Sequence, residues 1–427
     1  MSEIQPSSSS QRTGALQNYL HKMRQLLSYM GPGFFVTIGF IDPGNWATNV
    51  AAGSAFNYDL LWVVVLATVV LILWQHMSAH LGIATRMCLA EAVSEHMKHP
   101  AAAVYGITAM AAVIATALAE ILGAALGLYS LFGLPVPVGS VIVTLLLVIA
   151  LSAKQYQSLE KIVIVFVSAI GLSYLIELYL VKPDWHATAV HTVIPSLKQG
   201  SVLVAMGVLG AVVMPHNMYL HSEVVQNRNW DGATETQTRR MLRLEFLDTL
   251  ISMVVGMAIN MAMIVVAAAV FFRHGIIVDN LLQASATLEP LVGRVAKEVF
   301  AIGLVLAGVA SSLTAGIAGG TTFGGYMKKQ HGMSTRHFRI GMIITLVGAC
   351  LLVFFVHDIF KALVISQVCL SVQLPFTMLP LYLLTSSPKV MGKYETGWLE
   401  KTAMAVTGIV IVILNMLLIY DLLGGKF

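Results

Sequence analysis

Polar residues interrupt this chain only at intervals. Apolar runs near the ~20 residues needed to cross a bilayer recur at roughly 29–54, 60–82, 103–131, 137–153, 162–181, 201–222, 249–272, 298–320, 340–356, 362–384 and 402–423. The runs are continuous, whereas an outer-membrane barrel would show short alternating segments. The pattern therefore predicts an all-α integral membrane protein with 11 transmembrane helices. Two runs are broken at mid-membrane. The first reads Gly39-Phe40-Ile41-Asp42-Pro43-Gly44-Asn45 and the sixth Ala211-Val212-Val213-Met214-Pro215-His216. Pro lacks the amide hydrogen and clashes with the preceding turn, so each break frees backbone carbonyls inside the membrane.

The broken runs are the first members of two sets of five. An odd number of crossings forces the two sets into opposite orientations, which predicts an inverted repeat. The expected organisation is a transport core over 29–384, with repeats 29–181 and 201–384, and a peripheral eleventh helix within 385–427. Residues 1–28 are polar, with a serine run from Ser7 to Ser10 and no hydrophobic stretch ahead of a small-residue cleavage site. They read as a disordered cytoplasmic tail without a signal peptide.

Composition agrees with the pattern. The 427 residues are 57% hydrophobic and 11% charged, against about 25% charged in soluble domains. Mean hydropathy is +0.80. With the N-terminus inside, 18 of the 25 Lys and Arg residues fall on the cytoplasmic side. That bias predicts a multi-pass protein of the cell membrane, N-terminus cytoplasmic and C-terminus outside. The net charge of +4 is thus a topology signal, and no nucleic-acid partner is implied. Cys88, Cys350 and Cys369 fit no metal or disulfide spacing and read as packing residues.

Polar groups held in lipid are costly and mark ion or substrate paths. Asp42 before Pro43 could be an ordinary helix N-cap, but a carboxylate so deep in the bilayer suggests that it also binds an ion, with Asn45. Met214 beside Pro215 offers a soft thioether. His216 could ligate metal or carry protons, and His221 and Arg228 continue the same helix toward the cytoplasm. Glu120, alone in the third run, is a candidate for proton relay or ion pairing. Glu177 sits nearer the outer interface, where solvation is cheap. Gln367 and Asn260 read as helix-to-helix hydrogen-bonding residues. His76 and His80, four apart, lack the Glu of an HExxH motif and read as packing or interface histidines.

The motifs Asp42-Pro43-Gly44-Asn45 and Met214-Pro215-His216 through Leu220-His221-Ser222 resemble those of the Nramp family of divalent-metal transporters. Leu118-Ala119-Glu120 with Gly123-Ala124-Ala125, and Ser366-Gln367-Val368, support the likeness, which runs from about residue 28 to 423. The resemblance implies a LeuT-like fold with helices 1 and 6 discontinuous. It implies proton-linked import of Mn(II), Fe(II) and similar ions as transported substrate, with no cofactor and no enzymatic activity. Asp42, Asn45 and Met214 would bind the ion, joined by the carbonyls of Ala211 or Gly39 and by Gln367 in different states. His216, Glu120, His221, Arg228 and Arg339 would form the proton and salt-bridge network. The sequence departs from the family pattern at Ala117, where many members carry a second acid, at Phe338-Arg339 in place of paired arginines, and at Ala307-Gly308-Val309. Metal binding keeps its residues, whereas the proton route is one carboxylate short.

Hard oxygens from Asp42 and Asn45 suit Mn(II) and Fe(II), but equally Mg(II) and Ca(II). Met214 supplies the discrimination, favouring softer ions, Cd(II) and Co(II) among them. The competing readings are a passive metal carrier or channel, a sodium-coupled amino-acid carrier and an intramembrane metalloenzyme. The last two want sodium-binding hydroxyls or a full ligand set with a base.

Overall fold

The computed structural model describes residues 31–153, 156–227, 234–281, 294–327 and 335–422. The expected N-terminal tail and Arg228 lie outside the described residues. Every described element is helical. The first half comprises α1 (Pro32–Thr37), α2 (Pro43–Phe56), α3 (Leu61–Thr85), α4 (Leu89–His96), α5 (His99–Phe132), α6 (Val136–Ala153) and α7 (Tyr156–Val181). The short α8 (Trp185–Val193) leads to α9 (Val202–Val212), α10 (Pro215–Val224) and α11 (Glu235–Val270). Then come α12 (Arg294–Tyr326), α13 (Arg336–Val353), α14 (Ile359–Thr385), α15 (Pro388–Met391) and α16 (Trp398–Leu422).

Among the described residues, 10 helical stretches are long and apolar enough to cross a membrane, with α9 and α10 counted as one. The broken segment from α1 to α2 makes the eleventh crossing. Some helices outrun their apolar stretches. The seventh run was expected to start near 249, but α11 begins at Glu235. Thr234 and Gln237 form a capping box there, the Gln237 Oε1 accepting the Thr234 amide at 2.7 Å. Hydropathy marks only where a helix meets lipid, while capping decides where it starts.

The core is built by close approach of small residues, the usual means of helix association in lipid. α12 packs most extensively against α5. A Cβ on Gly308 would stand 2.7 Å from the Glu120 carbonyl oxygen, so that contact needs glycine. α16 is peripheral. Only 22% of its crossing is buried, against 83% for the broken α9–α10 span.

The tip of α1 is pinned by a carboxylate from another helix. Asp248 of α11 accepts the Gly33 amide at 2.8 Å and the Gly31 amide at 3.3 Å. The unsatisfied amides of a helix start are thereby paired inside the protein.

Candidate metal site

Each break has a local cause. After α1 the chain passes through a tight turn, Ile38–Phe40, and Asp42 adopts extended geometry (φ −72°, ψ 167°) before Pro43 opens α2. Asp42 Oδ1 accepts the Asn45 amide at 2.8 Å, so the carboxylate does cap the half-helix. Its second oxygen, Oδ2, accepts from Gln367 Nε2 at 3.4 Å. In the sixth crossing, Val213 (φ −92°, ψ 76°) ends α9, and Met214 precedes Pro215 at the start of α10. Methionine cannot cap a helix, and no side-chain cap is formed. Its place at that position is one that a capping Ser or Asp would normally take.

Asp42, Asn45, Met214 and Gln367 are all fully buried, and Ala211 is 1% exposed. The breaks are therefore closed to both sides in this conformation. Two half-helix C-termini, at Gly39 and Ala211, bring carbonyl-rich ends to the breaks, a polarity that suits a cation. Gly123 of α5 seats the first break. A Cβ there would fall 2.0 Å from the Pro43 Cβ.

Asn45 is oriented from α11. Its Nδ2 donates to Asn260 Oδ1 at 2.9 Å, and Asn49 Nδ2 donates to the same oxygen at 2.6 Å. Asn260 in turn donates to the Gly256 carbonyl at 3.0 Å. The hydrogen-bonding expectation for Asn260 understated it, because its partner is a candidate ligand. Asn49, one turn beyond Asn45 on α2, was not singled out from sequence. The four-residue spacing from Asn45 was the available signal.

His216 lies on α10 beside the site, with Nδ1 3.2 Å from Thr116 Oγ1 of α5. Thr116 is one turn before Glu120 on the same face. Glu120 is fully buried, with the Ser311 hydroxyl of α12 beside its carboxyl group. Arg339 is not brought to it. α13 turns Phe338 inward, against Gly320, and leaves Arg339 exposed. Glu177 also differs from expectation: it is only 2% exposed, with both oxygens unpartnered, because α7 turns it into the bundle.

His221 joins a cluster whose other members the sequence did not reveal. Its Nδ1 is 3.0 Å from Gln75 Oε1, and its Nε2 is 3.9 Å from Glu245 Oε1. Glu245 also meets His76 Nδ1 at 2.7 Å through Oε2, and accepts the Thr249 hydroxyl at 2.6 Å through Oε1. His76, expected as a packing or interface histidine, stands at the interface of α3 and α11 with its Nδ1 on Glu245. His80, under the same expectation, is stacked on His76 with ring centroids 5.9 Å apart. A pairing across 169 residues of chain leaves no local sequence signal.

Known proteins share both the sequence and this architecture. Residues 33–421 match the family profile described as Natural resistance-associated macrophage protein-like, Nramp. The divalent metal cation transporter MntH of Caldanaerobacter subterraneus is 37% identical over 408 residues, covering 95% of this chain and 96% of that protein. A manganese transporter of Eremococcus coleocola, solved as a point mutant, superposes with a TM-score of 0.79 at 27% identity, covering 93% of this chain and 87% of that one. The nucleobase-cation-symport-1 family transporter Mhp1, in a closed conformation, shares the fold alone, with a TM-score of 0.57 at 14% identity over 91% of each chain. With the family profile spanning nearly every described residue and both helix breaks inside it, the chain is a member of the Nramp family.

Proposed function

We propose that this protein imports divalent transition-metal ions, Mn(II) and Fe(II) with Cd(II) and Co(II) also accepted, by alternating access and with linked proton influx. The observation that carries this reading is that a buried carboxylate, Asp42, and a buried thioether, Met214, each stand at the break of a helix, with α9 packed against α2 and α10 against α1. Asn45 and Gln367 complete a donor set of oxygens and one sulfur. A single negative charge against a dication suits an ion that must leave again. The names of the relatives, a divalent metal cation transporter and a manganese transporter, support the same substrate class.

Asp42 anchors the ion in this reading, and Met214 disfavours Mg(II) and Ca(II), which prefer all-oxygen shells. The breaks at Pro43-Gly44 and Pro215 act as hinges that open the closed site to one side at a time. The charge bias of the loops supports a cytoplasmic N-terminus. His216, Glu120 and His221 lie along the proton route, with the Ala211 and Gly39 carbonyls serving the ion in different states.

A second reading is metal uniport with weak or no proton coupling. It is favoured by Ala117, which is buried beside Glu120 without a carboxylate, and by the exposed Arg339. The deciding experiment uses proteoliposomes. Mn(II) uptake and lumenal acidification are measured together, with and without an inward proton gradient. Acidification that tracks Mn(II) uptake supports coupling, whereas uptake without it favours the uniporter. Asp42→Ala should abolish uptake in either case, and retained uptake would remove Asp42 as the anchor.

A further inference from the structure

At the end of the bundle that the Lys and Arg bias assigns to the cytoplasm, three helices meet at one carboxylate. Glu245 of α11 is 6% exposed and stands between His76 of α3 and His221 of α10. Its Oε2 takes the His76 Nδ1–H at 2.7 Å. Gln75 Oε1 stands 3.0 Å from His221 Nδ1, and with that nitrogen as donor the neutral imidazole is the Nδ1–H tautomer. His221 Nε2 then carries a lone pair and has no hydrogen-bond partner. It faces Glu245 Oε1 across 3.9 Å. Two acceptors opposed across a buried gap form a vacancy for one proton.

We propose that the Glu245–His76–His221 cluster is the cytoplasmic station of the proton route in this chain, standing in for the carboxylate that Ala117 does not supply. The proposal rests on the proton-linked reading above. A proton arriving at His221 Nε2 makes the imidazolium, whose Nδ1–H stays on Gln75. Transfer to Glu245 Oε1 returns His221 to its neutral form and leaves Glu245 as the carboxylic acid. Glu245 then loses its Oε1 proton to cytoplasmic water at its 6% exposed edge, while the His76 Nδ1–H stays on Oε2 and holds the carboxylate that is formed. The carboxylate is thereby restored, and the proton count balances over each cycle. Gln75 is a positioning residue, since it sets which nitrogen of His221 is free.

The surroundings leave these groups to act on one another. From α3, His80 stacks on His76. From α16, Glu400 bears electrostatically on both of these histidines. On α11, Thr249 donates to Glu245, and Phe246 meets the His76 ring edge-on at 5.0 Å. Asp248, the neighbouring acid on α11, is committed to the Gly31 and Gly33 amides. A purely structural ion pair would join α3 to α11 without needing His221 to present a bare nitrogen to the carboxylate.

The test uses the full-length protein in proteoliposomes, comparing wild type with Glu245→Gln and His76→Gln. Mn(II) uptake down its own gradient should stay within about two-fold of wild type. Protons moved per Mn(II) should fall at least about ten-fold, a conservative bound against the ~10²–10⁴-fold that one positioned acid–base group contributes to a rate. The pH dependence of uptake between about 5 and 8, where histidine titrates, should flatten. If wild type moves protons with Mn(II) and both variants keep its ratio and pH profile, the station is wrong while the coupled reading stands. If wild type moves no protons with Mn(II), the coupled reading itself fails and the station falls with it. Should Glu245→Gln fail to assemble, a monodisperse His76→Gln protein carries the same test.

Discussion

Gln367 Nε2 donates to Asp42 Oδ2 at 3.4 Å through the space that a side chain on Gly44 would fill. A Cβ on Gly44 would lie 1.7 Å from that nitrogen and 2.5 Å from Gln367 Cδ. The glycine of the first break therefore holds a place for a side chain from α14. The colliding atoms are the free end of a flexible side chain, so Gly44→Ala should fold and push Gln367 off Asp42. Mn(II) affinity, read by calorimetry, should fall about ten-fold, or ~1.4 kcal/mol. An unchanged affinity would show that Gln367 does not assist the ion.

Met214 should set selectivity rather than capacity. In Met214→Ala the oxygen donors remain, and those suit magnesium and calcium as well as manganese. Competition of Mg(II) or Ca(II) against Mn(II) uptake should rise in that variant while Mn(II) uptake itself persists. Unchanged discrimination would remove the thioether as the filter.

Asn260 holds Asn45 and Asn49 through one oxygen, at 2.9 and 2.6 Å. Asn260→Leu takes that acceptor from two fully or almost fully buried amides and leaves Asn49 Nδ2 with the Met263 sulfur at 3.3 Å, a weak acceptor. Leaving buried donors unmade costs about 1–3 kcal/mol each in water-soluble proteins, with smaller values of about 0.6 kcal/mol measured inside membranes. The variant should melt at lower temperature in detergent and bind Mn(II) more weakly. A lowered melting point with wild-type affinity would mean that the bond orients the helix and not the ligand.

Gly123→Val should be the most damaging single change near the first break. Its Cβ would stand 2.0 Å from Pro43 Cβ and 2.1 Å from Pro43 Cγ, atoms of a rigid ring that cannot swing aside. Overpacking of this kind typically costs about 1–3 kcal/mol, and the rigid partner puts this case at or above the upper end. The yield of monodisperse protein should fall sharply. Wild-type yield and melting point would contradict the close approach of α5 to the break.

Asp358 caps α14 from outside the membrane, with Oδ1 accepting the Lys361 amide at 3.0 Å. That bond, and then the Lys361 ammonium, hold its carboxyl below the usual carboxylate range. A depressed folded-state value stabilises above the unfolded pKa near 3.9, and the contribution is lost as pH falls through the folded value. Asp358→Ala should therefore lower the melting point at neutral pH, and the gap to wild type should close below about pH 3.9. A gap independent of pH would assign the cap to some other group.

The sequence by itself determined the crossings and the breaks. Bilayer thickness fixes the length of an apolar run, and proline cannot continue a helix, so both are local properties that a one-dimensional pattern records. Asp42, Asn45 and Met214 could be named because a polar or soft group at a helix break in lipid is conspicuous against its neighbours, whereas Gln367 joined them only through the family resemblance. Tertiary structure decided which of these groups meet. Gln367 reaches Asp42 across 325 residues, Asn260 reaches Asn45 across 215, and Glu245 reaches His76 across 169. It also turned Arg339 outward and Glu177 inward, since the facing of a residue depends on which helix lies beside its own. Such pairings follow from the packing of separate helices, where small residues set the approach, and no local periodicity encodes that approach.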